Sequence, residues 1–193
     1  MDCGDVCEVM WRREDGGVEH VRATLAGDGD VAVDGVVAQR GDDGVERRTH
    51  YLLRCDNAWR VREVRVELPE DGGALLLRSD GAGRWTRGED GAAMPQLDGC
   101  VDVDLYAVVF TNTLPVRRLR LALGASVEIA VAFVLLPSLE VRRVRQRYTR
   151  VSDMSYRYEG LESGFTTVLR VDGEGLVIDY PGLGRRMWAT APH

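Results

Sequence analysis

Apolar residues in this chain return at every second position, and no window sustains a period near 3.6. Val31, Val33, Gly35 and Val37 share one face, as do Phe165, Thr167, Leu169 and Val171, and Leu176, Ile178 and Tyr180. In "WRVREVRVEL", Trp59 and Val61 share a face, then Val64, Val66 and Leu68 do. The phase changes at Arg62–Glu63, which predicts a β-bulge there. Asp-Gly pairs punctuate the chain at 15–16, 28–29, 34–35, 43–44, 71–72, 80–81, 90–91, 98–99 and 172–173. Asp-Gly suits tight hairpin turns, so the pattern reads as a meander of strands. The best helix candidate is "LPVRRLRLAL". Pro115 could open one short turn there and should hold Leu114 extended. Leu119, Leu121 and Leu123 fit a strand better.

The run Leu121–Leu135 shapes the fold expectation. Its odd positions are large and apolar, while its even positions are Ala122, Gly124, Ser126, Glu128, Ala130 and Ala132. Small residues on the second face predict close approach by another protein layer or by a ligand. As one strand the run would span about 50 Å, so it must bend, and Gly124 is the place. The expected fold is all-β, a strongly curved antiparallel sheet forming a barrel or half-barrel, with little helix. No linker divides the chain, so residues 1–193 read as one domain, with Asp90–Leu97 a long loop.

Composition narrows the function classes. The net charge is −6, which opposes binding to nucleic acid or to anionic membranes. All 25 basic residues are arginine. That choice fits either a coding bias or bidentate anion contacts. Cys3, Cys7, Cys55 and Cys100 form no C-x-x-C, and His20, His50 and His193 lie far apart. No metal site or cofactor is expected. Asp28, Asp30 and Asp34 lack the remaining positions of a calcium loop. The start, "MDCGDVCEVMW", is acidic and has no apolar core, and the run Ala125–Pro137 is too short to span a bilayer. These features predict a cytoplasmic protein with free thiols and no transmembrane segment. They leave the oligomeric state open.

Several candidate site residues follow. Asp102 and Asp104 share one strand face with Tyr106, against Val101, Val103, Leu105, Ala107 and Val109 on the other. Two carboxylates can divide acid and base work, or each can accept hydrogen bonds from arginines and turn amides. Thr111, Asn112 and Thr113 have turn chemistry and could equally hold a sugar or headgroup. Glu128 on the small face either pairs with an arginine or meets a ligand. Arg117, Arg118 and Arg120, and the Arg143, Arg145 and Arg147 face, read as a solvated surface or an anionic headgroup site. "DGAGRW" and "GLGRR" read as turns, since neither is a phosphate-binding glycine loop. Trp11, Trp59, Trp85 and Trp188 read as core.

The order of these motifs resembles a known bacterial family. Trp11-Arg12, "DGAGRW", "GCVDVDL", "FTNTLPVRRL", "QRYTR" and "VDGEGLVIDYPGL" resemble the putative glycolipid-binding family, formerly a domain of unknown function. The match covers nearly the whole chain and is most specific over Gly99–Leu119. The resemblance implies a strongly curved antiparallel sheet, similar in shape to bacterial lipoprotein carriers. It brings no catalytic residues. The expected function is non-enzymatic binding of an amphipathic ligand, a lipid or glycolipid, in the hollow of the sheet. The binding set is Asp102, Asp104, Asn112, Thr113, Arg117, Arg118 and Glu128. Two alternatives stand beside it. One is a hydrolase-like enzyme using Asp102, Asp104 or Glu128 on a polar or sugar substrate. The other is an interaction scaffold without a small ligand.

Overall fold

The structure, a computed structural model, describes residues 6–26, 29–41 and 43–190. Cys3, Asp28 and His193 lie outside the described residues. Eight strands come first: β1 (Val6–Arg13), β2 (Val18–Leu25), β3 (Val31–Arg40), β4 (Glu46–Cys55), β5 (Val61–Leu68), β6 (Gly73–Ser79), β7 (Trp85–Arg87) and β8 (Ala92–Ala93). Then β9 (Asp102–Leu105) leads through a 3-10 turn (Phe110–Asn112) into the helix α1 (Thr113–Leu119). The chain closes with β10 (Ser126–Leu135), β11 (Glu140–Ser152), β12 (Ser155–Gly160), β13 (Thr166–Val171), β14 (Val177–Tyr180) and β15 (Gly184–Ala189).

All fifteen strands form one sheet, in the order β8 to β1, then β15 down to β9. Every pairing is antiparallel except β9 with β10, which is parallel. The end strands β8 and β9 do not pair, so the sheet is curved but open, and the barrel is not closed. It nevertheless curls back on itself. Val61 N–H donates to the Val101 carbonyl at 3.3 Å, and Gly99 N–H to that of Gly83 at 2.9 Å. Trp85 Nε1 reaches the Cys100 carbonyl at 2.7 Å.

Alternation predicted most strands well. In β3, Val31, Val33 and Gly35 are buried between exposed neighbours. The expected bulge is present: Arg54 pairs with Glu63 and Cys55 with Val61, leaving Arg62 unpaired. Asp-Gly pairs at 15–16, 43–44, 71–72, 80–81 and 90–91 sit between strands. Asp34-Gly35 does not, because Gly35 lies inside β3 under the ring of Tyr51; a Cβ there would stand 2.1 Å from Tyr51 Cζ. In β14 Val177 and Tyr180 are buried and Ile178 is not, because a bulge opposite Arg170–Val171 shifts the phase. The core gathers residues from both ends of the sheet. Trp11, Tyr51 and Leu77 of the first half and Leu105, Val134 and Leu169 of the second are wholly buried. Each such side chain taken from water contributes about 2 kcal/mol.

Two expectations are corrected. Residues 113–119 form a helix rather than a strand, with Leu114 helical instead of extended. Pro115 lies in its first turn, where a missing N–H costs nothing. Arg117 and Arg118 lie in the last turn, complementing the helix dipole, and Arg120 ends it in the left-handed region at φ 43°. Leu123 is 64% exposed, so the alternation of Leu119, Leu121 and Leu123 carried no strand. The long strand is also shorter than expected. It starts at Ser126, and Gly124 (φ +81°) belongs to the turn before it.

Candidate functional site

The segment between β9 and α1 is fixed from the far side of the sheet. Glu19 in β2 is wholly buried. Its carboxylate accepts the N–H groups of Val109 (2.7 Å) and Phe110 (3.0 Å) and the Tyr51 hydroxyl (2.9 Å). Burial raises its pKa. Arg13 in β1 donates to the Ala107 carbonyl, where the backbone is left-handed at φ 62°. Strands β1, β2 and β4 therefore hold the turn that positions Asn112 and α1.

Beside this turn the sheet encloses a hollow of about 680 Å³. Its floor is polar. Asp104 accepts the Thr111 hydroxyl at 3.1 Å and the Gln146 amide at 2.5 Å. Tyr148 donates its hydroxyl to Asn112 Oδ1 at 3.0 Å. The walls are aromatic. The rings of Tyr158, Phe165 and Tyr180 stand 6.2 to 6.3 Å apart, centre to centre. Tyr106 and Phe133, which also line the hollow, meet edge-on at 6.2 Å. Tyr106 and Phe165 are 52% and 44% exposed at the mouth. Arg142, Arg143 and Arg145 lie on its rim, with Arg142 stacked on Phe133 at 5.5 Å and Arg145 paired with Glu162 at 3.0 Å.

Asp102 and Asp104 do share one strand face, but their surroundings differ. Arg118 grips both oxygens of the wholly buried Asp102, at 2.9 and 2.6 Å. Burial pushes the Asp102 carboxyl up while the guanidinium pulls it back. Among the described residues Asp104 has only neutral partners, and it keeps part of its surface open to the hollow. Enclosure in the walls raises its pKa to about 6.

Of the other sequence-derived candidates, Asn112 lines the hollow. Thr113 is buried in the first turn of α1, and its hydroxyl has no partner among the described residues. Arg117 turns the other way. It stacks over Trp59 at 4.4 Å, pairs with Glu174 at 3.3 Å and borders two further clefts of about 520 and 450 Å³. Glu128 is exposed at the start of β10 and pairs with Arg147. The small face of β10 does not form the hollow. Ala132 and Val134 are buried in the apolar core, while Phe133 and Leu135 of the large face line the cavity. The close neighbour that small residues announce is therefore protein.

Sequence reading missed Gln146, Phe133, Tyr158, Phe165, Tyr180 and Glu19. Gln146 carried a faint signal, as a neutral amide among the arginines of β11. The aromatic residues come from strands far apart in the chain, and only the curvature of the sheet gathers them.

Comparison with known proteins agrees with this architecture. A family model described as "Putative glycolipid-binding" matches residues 8–186. The crystal structure of a DUF1089 family protein from Pseudomonas aeruginosa is similar at 41% sequence identity and a TM-score of 0.75. The similarity covers 88% of this chain and 92% of that one. No curated protein matches. Among the described residues no helix is long and apolar enough to cross a membrane, and no group of three or more His, Cys, Asp or Glu is placed to hold a metal.

Proposed function

Because the chain belongs to the family described as "Putative glycolipid-binding", we propose that it binds an amphipathic ligand with a sugar-bearing head, without converting it. The observation that carries this reading is the hollow itself, with its polar floor and aromatic walls. Its size, about 680 Å³, lies in the usual range for a small-molecule site. Ring faces give apolar contact to the C–H surfaces of a sugar, while Asp104, Gln146 and Asn112 meet its hydroxyls. Leu135 and Leu183, which also line the hollow, extend the apolar surface for the start of an aliphatic chain.

In this reading Asp104 and Asn112 contact the ligand. Asp102 and Arg118 tie α1 to β9, Thr113 is buried in the first turn of α1, and Arg117 and Glu128 lie outside the contact set. Native mass spectrometry of freshly purified protein, with organic extraction of bound material, tests it. A lipid-sized ligand that competes with added alkyl glycoside supports the proposal. An empty protein that ignores lipids and alkyl glycosides rejects it.

A hydrolytic reading has one observation in its favour, the Asp104 carboxyl with its pKa near neutrality in an open hollow. A carboxylate pair would need a second free acid, and Asp102, two residues away, is occupied by Arg118. Mass spectrometry of a ligand after incubation separates the two. Binding predicts an unchanged ligand mass, and hydrolysis predicts a cleaved one.

A further inference from the structure

We propose, building on the glycoside-binding reading, that the head this hollow selects carries a protonated primary amine, which sits between the Asp104 carboxylate and the aromatic walls. The first observation is an uncompensated charge. Asp104 is enclosed, yet among the described residues its only partners are a hydroxyl and an amide. Enclosed carboxylates ordinarily have a cationic partner, as Asp102 has in Arg118. Two of the roughly four acceptor positions of the Asp104 carboxylate are used by Thr111 and Gln146, leaving room for further donors.

The second observation is the set of rings. Tyr158, Phe165 and Tyr180 border the same hollow, and ring faces attract a cation from which water has been removed. The neighbouring charges are engaged with other groups. On β9, Asp102 is neutralised by Arg118 of α1. On β11, Arg142 stacks on Phe133, Arg143 faces Cys100, and Arg145 pairs with Glu162 of the β12–β13 turn. None of these arginines bonds to Asp104. The segment Phe110–Asn112 presents only neutral groups. Burial holds Tyr158 and Tyr180, on β12 and β14, in their neutral forms.

An ammonium has the geometry for both features, since it donates up to three hydrogen bonds and carries the missing charge. Asp104 titrates near pH 6 when the hollow is empty. An ammonium ligand requires the carboxylate form, so binding near pH 6 releases a proton, and affinity rises from pH 5 to pH 7.5.

The test is calorimetric titration with octyl glucoside and with its 2-amino-2-deoxy counterpart, at pH 5 and pH 7.5. At pH 7.5 the amino compound should bind at least roughly tenfold more tightly, the scale of a charge-assisted hydrogen bond. The preference should shrink at pH 5 and vanish in Asp104→Asn. In buffers of different ionisation enthalpy at pH 6, the unaltered protein should release protons on binding the amino compound alone. That measurement stands even if the variant folds poorly. Equal affinity for both compounds overturns the amine proposal and leaves the glycoside reading intact. Tighter binding of octyl phosphate than of the amino compound would instead assign the head contact to the rim arginines. If none of the compounds binds, both readings fail.

Discussion

Arg118 holds both carboxylate oxygens of Asp102, while Asp104, on the same strand face, has no cationic partner among the described residues. One carboxylate thus ties α1 to β9, and the other is left for the hollow. This division separates a buried, paired carboxylate from one that borders the hollow within two residues.

Removing the guanidinium leaves Asp102 buried and unpaired. Arg118→Ala is expected to cost about 3 kcal/mol, the range for breaking a buried pair. Replacing both partners, Asp102→Asn with Arg118→Met, should recover part of that loss. Urea unfolding of the two single variants and the double variant gives the coupling.

Asp104 should make the empty protein less stable at neutral pH. Its folded-state pKa, about 6, lies above the ordinary carboxylate value, so the folded state binds more protons than the unfolded one between roughly pH 4 and 6. Stability from this group is therefore full at low pH and is lost as pH rises through that window. Asp104→Asn should stabilise the protein by about 3 kcal/mol at pH 7.5 and by less than about 1 kcal/mol near pH 4. Thermal unfolding across this range checks both the sign and the window.

Gly35→Ala places a methyl group against the Tyr51 ring. The ring must move, and its hydroxyl then leaves Glu19, which holds Val109 and Phe110. Overpacking together with the lost hydrogen bond should cost about 2–4 kcal/mol. Denaturation and the loss of slow amide exchange at Val109 and Phe110 report the two effects separately.

Phe165 is half-exposed at the mouth of the hollow. Phe165→Ala should leave folding stability within about 1 kcal/mol and weaken alkyl-glycoside binding by roughly tenfold. Calorimetric titration beside thermal unfolding distinguishes this from general damage. An unchanged affinity would remove the aromatic wall from the binding site.

Local pattern carried the strands because a pleated chain alternates its faces wherever one side is buried. Val31, Val33 and Gly35, and the bulge at Arg62, were legible for that reason. The same logic misled at Leu119–Leu123, where spacing by two also occurs around a helix end. Leu114 and Val116 are buried there, and Pro115 in the first turn costs the helix nothing. Small residues at Ala130 and Ala132 correctly announced a close neighbour, but spacing has no term for whether that neighbour is protein or ligand.

The all-β architecture, most turn positions and the face shared by Asp102 and Asp104 were legible in the residues, all consequences of short-range geometry. The remainder came from the way distant strands meet in the fold. The fold placed Arg118 beside Asp102, set Gln146 from β11 beside Asp104, and gathered Phe133, Tyr158, Phe165 and Tyr180 around one hollow. Those choices depend on the curl of a fifteen-stranded sheet. Curl sums twist, bulges and core packing over the whole chain, so no single stretch of residues encodes it.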